Sequence, residues 1–210
     1  IAVRAGDGLP ANNPQLRRAI QNARSVNMPR EKIENAIKKA LGTDATEYAI
    51  VHFEGYGPHG IAILCECATD NTTRTAANIR LAYKKYNGNL GAQGSVAYQF
   101  DRLGVFRLDA ASVKDREELE LALIDEGLEE MGDGEEDDGT PLIVLHCAFT
   151  DFGTLQAALE QHHIEPRSSG LEFIPNDLLS LPEDQATEVL ELIDRLEQDD
   201  DVQAIYHNLA

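Results

Sequence analysis

The chain has 210 residues, 42% of them hydrophobic, with a formal net charge of −19 and three cysteines. That length suits one large domain or two to three small ones, each with its own core, and no apolar run approaches the roughly 20 residues needed to cross a bilayer. Taken as a total, the charge argues against a nucleic-acid partner, but residues 1–107 carry 14 Lys/Arg against 9 Asp/Glu whereas residues 108–210 carry 4 against 28.

A basic front on an acidic back points to an anionic partner met by one end. The Debye length is about 8 Å at physiological salt, and a domain of about 100 residues has a radius of gyration near 13 Å. Acidic groups one domain away are therefore screened from a ligand at the front. An odd number of cysteines gives no disulfide framework and suits a cytoplasmic location. Nothing at the start reads as a signal peptide. The chain opens on Ile1 rather than Met, so a preceding segment is expected.

The first 43 residues read as helical. Asn13 and Pro14 supply an N-cap and first-turn signal, and Leu16, Ala19, Ile20 and Ala23 follow at helical spacing. Pro29 opens a second helix with Ile33, Ala36, Ile37 and Ala40 on one face, ended by Gly42. Two short helices make a thin core, so a partner helix is expected.

From Tyr48 the period changes to two. Tyr48–Glu54 and Gly60–Ala68 read as strands joined by a Gly-rich turn, and Cys65 and Cys67 share the core face of the second. A helix is expected over Asn71–Tyr86, then a glycine-rich loop, Gly88–Gly94, and a strand over Ser95–Phe100. Next come a strand at Gly104–Leu108, a helix at Arg116–Glu126, a short strand at Leu128–Met131 and an acidic loop at Asp133–Gly139. A strand at Leu142–Ala148, a helix at Asp151–His163 and a strand at Gly170–Ile174 complete a βαββαβ unit, the ferredoxin-like order. Ser180 and Glu183 have capping-box spacing before a last helix, and Val202–His207 reads as a closing strand.

The expected class is α+β. A helical domain spans 1–44, and a discontinuous α+β middle domain spans 45–104 and 177–210. An acidic βαββαβ domain, 105–176, is inserted in it. The latter two are α/β sandwiches of ferredoxin-like type.

No catalytic motif, metal site or cofactor site assembles from the sequence, and an enzyme is not expected. Asp133–Asp138 lacks a Glu at the twelfth loop position and fails the calcium-loop pattern. Zinc would need Cys65 and Cys67 to meet His146 and Cys147 from a distant strand. Gly88–Gly94 offers backbone N–H groups that suit a phosphate, although a helix C-cap at Gly88 and a bend explain it too.

The basic residues form the candidate site. Arg17, Arg18 and Arg24 lie on the first helix, Arg30, Lys32, Lys38 and Lys39 on the second, and Arg74, Lys84 and Lys85 on the third. Repetition on three helices with few acidic neighbours points to an anion-binding surface. Tyr56, Tyr83 and Tyr86 are the only nearby aromatics for base stacking, and two of them fit a core.

Several short motifs fix a resemblance. They are Asn27-Met-Pro-Arg30, Glu54-Gly-Tyr-Gly-Pro58, Thr69-Asp-Asn71 with Arg74-Thr75, Gly88-Asn-Leu-Gly91, Gly94-Ser-Val-Ala-Tyr98, Phe173-Ile-Pro175, Leu192-Ile-Asp194, and Asp200-Asp-Val-Gln203 with Tyr206-His-Asn208. In order and spacing they resemble the YebC/PmpR family, from about Gly6 to Asn208. The family includes the mitochondrial translational activator of cytochrome oxidase subunit one. The resemblance implies three domains, one inserted in another, and a non-enzymatic, cytosolic role. That role is either binding promoter DNA to regulate transcription or binding RNA at the ribosome to support translation. A third possibility is an adaptor docking a basic protein surface through 105–176. The family's usual basic leader before the position of Ile1, its two-arginine run where Thr72-Thr73-Arg74 stands, its Gly at His59 and its acidic residue at Gln93 are departures.

Overall fold

The computed structural model describes residues 1–42, 47–136 and 138–210. The expected boundary at 44/45 and Asp137 of the acidic loop lie outside the described residues. The chain is α+β. It divides into two compact units, residues 1–45 with 102–172 and residues 46–101 with 173–210.

In the second of these units, β1 (Ala49–Tyr56) and β2 (Ala62–Thr69) form an antiparallel hairpin in register from Ala49↔Thr69 to Tyr56↔Ala62. The turn closes through Gly57 N–H to Ile61 O at 2.8 Å, with His59 at φ 59° and Gly60 at φ 82°. Helix α4 (Thr72–Lys85) is capped by Asn71, whose side chain accepts from Arg74 N. A two-residue strand, β3 (Asn89–Leu90), then pairs with β1. A side chain at Gly55 would sit 2.6 Å from Asn89 O and 2.7 Å from the Tyr83 ring, so only glycine admits this pairing. Helix α7 (Glu183–Glu197) leads to β8 (Val202–His207), which pairs with β2 and completes the sheet order β3-β1-β2-β8. Both helices pack on one face, where Ile63, Cys65 and Cys67 meet Ile79, Tyr83, Leu192 and Leu196.

The other unit begins with a single turn, α1 (Ala2–Ala5), followed by α2 (Pro14–Ser25) and α3 (Arg30–Leu41). Buried Asn13 knits the first two. Its Oδ1 accepts from Leu16 N as an N-cap, and its Nδ2 donates to the carbonyls of Ala2 and Asp7. The three helices leave an open apolar groove of about 210 Å³ between Leu16, Ile20, Ile33 and Ile37, and α3 buries no residue fully. The core expected to be thin is thin.

Strands β4 (Phe100–Asp109), β5 (Leu128–Glu135), β6 (Pro141–Ala148) and β7 (Ser168–Pro175) form a second sheet, ordered β5-β6-β4-β7. With α5 (Arg116–Ile124) after β4 and α6 (Phe152–Gln161) after β6, the chain follows the βαββαβ order. Phe106, Leu108, Leu123, Leu145, Leu155 and Leu159 form its core.

Four local expectations change. Ser95–Phe100 is not a strand. A 3-10 turn covers Ala97–Gln99 and β4 starts at Phe100, because backbone N–H groups here bond a side chain rather than a ladder. The strand expected at Leu128–Met131 runs on to Glu135, so much of the acidic loop is paired with β6. Ser180 and Glu183 form no capping box. Pro182 is the N-cap of α7, which makes Glu183 the first helical residue and leaves Ser180 outside. The left-handed residue ending α4 is Asn87 (φ 57°), not Gly88, whose N–H reaches back to Tyr83 O as in a Schellman closure.

Candidate nucleic-acid interface

The ten basic residues fall into three groups. On α2, Arg17 and Arg18 are half-buried. Arg17 Nη1 donates to the carbonyls of Pro10 and Ala11 at 3.0 Å each, and its Nη2 lies 4.0 Å from Glu160. Arg18 sits over the Phe152 ring, 4.9 Å from its centroid, and burial pulls its guanidinium below its ordinary pKa. Arg24 is exposed and shares a polar cleft of about 330 Å³ with Glu136, Asp138, Glu165 and Arg167. Gln21 bonds Glu165, and Asn22 matches both backbone groups of Ser169, donating to its O at 2.8 Å and accepting from its N at 3.0 Å. That last contact covers the backbone of β7 with a side-chain amide, a use of Asn22 that sequence reasoning missed.

On α3, Arg30 donates to Glu34 at 2.6 Å, and this contact holds the Glu34 carboxyl below its usual range. Lys38, one turn beyond Glu34, adds to that effect. Lys32 and Lys39 are exposed, seven residues apart, with no carboxylate partner among the described residues.

On α4 the two ends differ. Arg74 Nη2 donates to both oxygens of Asp201, at 2.8 and 3.0 Å, and to Asp70 at 2.9 Å. Thr75 Oγ1 donates to Asp201 at 2.6 Å, so this buried carboxylate is held below its usual range by Arg74 first and Thr75 second. The Thr69-Asp-Asn and Asp200-Asp-Val motifs therefore meet in one structural knot. Arg80, Lys84 and Lys85, by contrast, are exposed and have no carboxylate partner among the described residues. Lys85 Nζ stands 5.4 Å from the Tyr86 ring centroid. Arg80 and Lys84 are one turn apart, about 6 Å along the axis. Arg80 escaped the sequence reading although its spacing to Lys84 signalled a shared face.

Of the aromatics, Tyr83 is buried and Tyr86 half-buried, whereas Tyr98 is 70% exposed. The Tyr98 hydroxyl lies 3.4 Å from that of Tyr56.

The Gly88–Gly94 region does hold an anion, but the anion is internal. Buried Glu54 accepts from the N–H groups of Gly94 (2.7 Å), Val96 (2.9 Å) and Ala97 (2.8 Å). Burial alone pushes its pKa up; the three N–H bonds outweigh that and leave it lowered. Of the loop's own donors, Gly94 N–H is thus taken by the carboxylate of Glu54, Gly91 N–H by the Glu54 backbone carbonyl and Gly88 N–H by Tyr83 O.

Cys65 and Cys67 lie in the core of one unit and Cys147 in that of the other, all as buried free thiols. Burial pushes Cys147 up to about 11. Among the described residues no cluster of three or more His, Cys, Asp or Glu is arranged to hold a metal ion, and no helix is long and apolar enough to cross a membrane.

Comparison with known proteins adds the lineage. Residues 1–43 match the family described as TACO1/YebC protein N-terminal domain, and residues 48–209 match TACO1/YebC second and third domain. A probable transcriptional regulatory protein of Myxococcus xanthus is 55% identical over the whole chain and 87% of its own length. One of Cytophaga hutchinsonii is 47% identical over the whole chain and 86% of its own length. The crystal structure of a conserved hypothetical protein, Aq1575 of Aquifex aeolicus, superposes with a TM-score of 0.81 at 33% identity, covering all of this chain and 85% of that one. The motifs that build the Asp201 knot and the Glu54 turn thus sit within matches that together span nearly the whole sequence, and the chain belongs to the TACO1/YebC family, whose curated relatives are named probable transcriptional regulatory proteins.

Proposed function

We propose that this chain is a non-enzymatic, cytoplasmic regulator that binds DNA through its basic helices, gripping the phosphate backbone rather than reading bases. The observation that carries the reading is the group of exposed cations on the second half of α4, Arg80, Lys84 and Lys85, which have no carboxylate partner among the described residues. The spacing of Arg80 and Lys84, about 6 Å along the helix, suits successive phosphates, Lys85 adds a third cation beside them, and Lys32 and Lys39 on α3 offer a second patch of the same kind. The names of the relatives support a regulatory role, and three unpaired thiols suit a reducing compartment.

Titration of labelled duplex DNA against salt tests this directly. Three phosphate contacts on α4 and two on α3 predict a slope of about −4.5 in log affinity against log salt on duplex DNA, or about −3.5 on a single strand. The same surface accepts RNA, so a single-stranded RNA belongs in the experiment; preference for it moves the target to the ribosome side of the family's range. Binding that ignores salt, or none to either polymer, sinks the proposal.

A further inference from the structure

Helix α5 is apolar on two opposite sides. Leu119 and Leu123 point into the core, at 5% and 0% exposure, whereas Leu121 and Ile124 stand in solvent at 70% and 53%. Helix α6, its companion in the same βαββαβ unit, exposes Gly153, Thr154, Ala157, Glu160 and Gln161, none of them a large aliphatic. Isolated exposed aliphatics are ordinary, but two large ones a turn apart on a helix with a filled core face mark a contact surface.

Charge identifies the partner. Residues 115–126 hold six Asp/Glu and a single base, Arg116, which is engaged by Asp133. Glu117 and Glu118 complement the helix N-terminus, but that effect does not reach Glu120, Asp125 or Glu126 near the other end. Residues 102–172 together carry 18 Asp/Glu against 5 Lys/Arg. An apolar pair ringed by carboxylates repels nucleic acid and favours a cationic surface with aliphatic anchors.

We infer that the Leu121/Ile124 face of α5 docks a lysine- or arginine-rich amphipathic helix of a partner protein. The two side chains, about 5–6 Å apart, serve as anchors for its apolar stripe. The flanking carboxylates meet its basic flanks and set the encounter rate.

The probe is a fluorescein-labelled lysine–leucine peptide of about 18 residues, long enough to hold a helix on binding, with leucines on one face. It is titrated into the full chain at about 0.15 M salt. Wild type and a Thr154→Gln/Ala157→Gln control on α6 should bind alike. Leu121→Gln/Ile124→Gln, and the helix-favouring Leu121→Ala/Ile124→Ala pair, should each bind about tenfold more weakly. An isomeric peptide with scattered leucines should lose affinity similarly. Absence of binding, equal binding of both isomers, or indifference to both double substitutions overturns the inference. Sedimentation of wild type alone adds a second readout, since self-association abolished by the same substitutions reassigns the face to another copy of the chain. DNA affinity of the α5 variants should be unchanged, so failure here leaves the nucleic-acid reading to its own test.

Discussion

Helices α2 and α4 are both amphipathic and basic, yet they use their charge in opposite ways. The arginines of α2 lie in the unit that includes the acidic 102–172 segment, and two of the three find partners there: two carbonyls and Glu160 for Arg17, an aromatic ring for Arg18. Helix α4 has its first-turn arginine, Arg74, engaged by Asp70 and Asp201. Its second half keeps Arg80, Lys84 and Lys85 without carboxylate partners among the described residues. Spacing on a helix defines which side chains share a face; the tertiary surroundings decide which of them remain available to a ligand.

The largest expected effect is on α4. Arg80→Glu/Lys84→Glu/Lys85→Glu should flatten the salt dependence of DNA binding by about 2.7 in slope, one step of about 0.9 per lost phosphate contact. An unchanged slope would place the interface off α4 and break the contrast with α2.

Next comes the turn that follows α4. Glu54→Gln should cost about 2–3 kcal/mol of stability, because three N–H groups lose a charged acceptor. DNA affinity should hold in the fraction that remains folded. The native carboxyl titrates below its unfolded counterpart. Its stabilisation is therefore complete above the ordinary Glu range of about 4.3 and disappears as pH falls through the lowered native value. Acid unfolding followed by circular dichroism should show that component in wild type and lose it in the variant. A drop in DNA affinity at constant stability would mean that the turn, not the side chains of α4, holds phosphate.

Sequence reading succeeded where the signal is local. Asn13-Pro14 capped and opened α2 at the expected place, Asn71 capped α4, and the βαββαβ order emerged from alternating periods. It failed where the deciding partner is remote. Val96 and Ala97 look like strand residues until Glu54, some 40 positions earlier, takes their N–H groups. Arg74 looks like a phosphate contact until Asp201, 127 residues later, claims it. The same limit applies to the candidate interface. Which cations share a helix face was legible; that Lys32, Lys39, Lys84 and Lys85 have no carboxylate partner among the described residues, while Arg17 and Arg74 do, was not.

A smaller effect should follow from α3. Lys32→Glu/Lys39→Glu should reduce the slope by about 1.8, two contacts rather than three. Combined with the α4 substitutions, the losses should add if the two patches engage different phosphates. A double-mutant cycle that is strongly non-additive would mean that both patches compete for one site.

The smallest effect is the one that bears most directly on α2. Arg18→Ala removes a guanidinium from the face of Phe152 and should cost about 1 kcal/mol of stability, seen as a lower urea midpoint with an unchanged m-value. The DNA salt slope should not move, because a half-buried arginine over a ring has no phosphate to release. Arg18→Lys discriminates further, since an ammonium keeps the charge but stacks less well on an aromatic face; it should recover only part of the stability. A slope that shrinks by about 0.9 in Arg18→Ala and returns in Arg18→Lys would show that α2 leaves its internal partner to meet DNA. The two helices would then differ in resting state rather than in function.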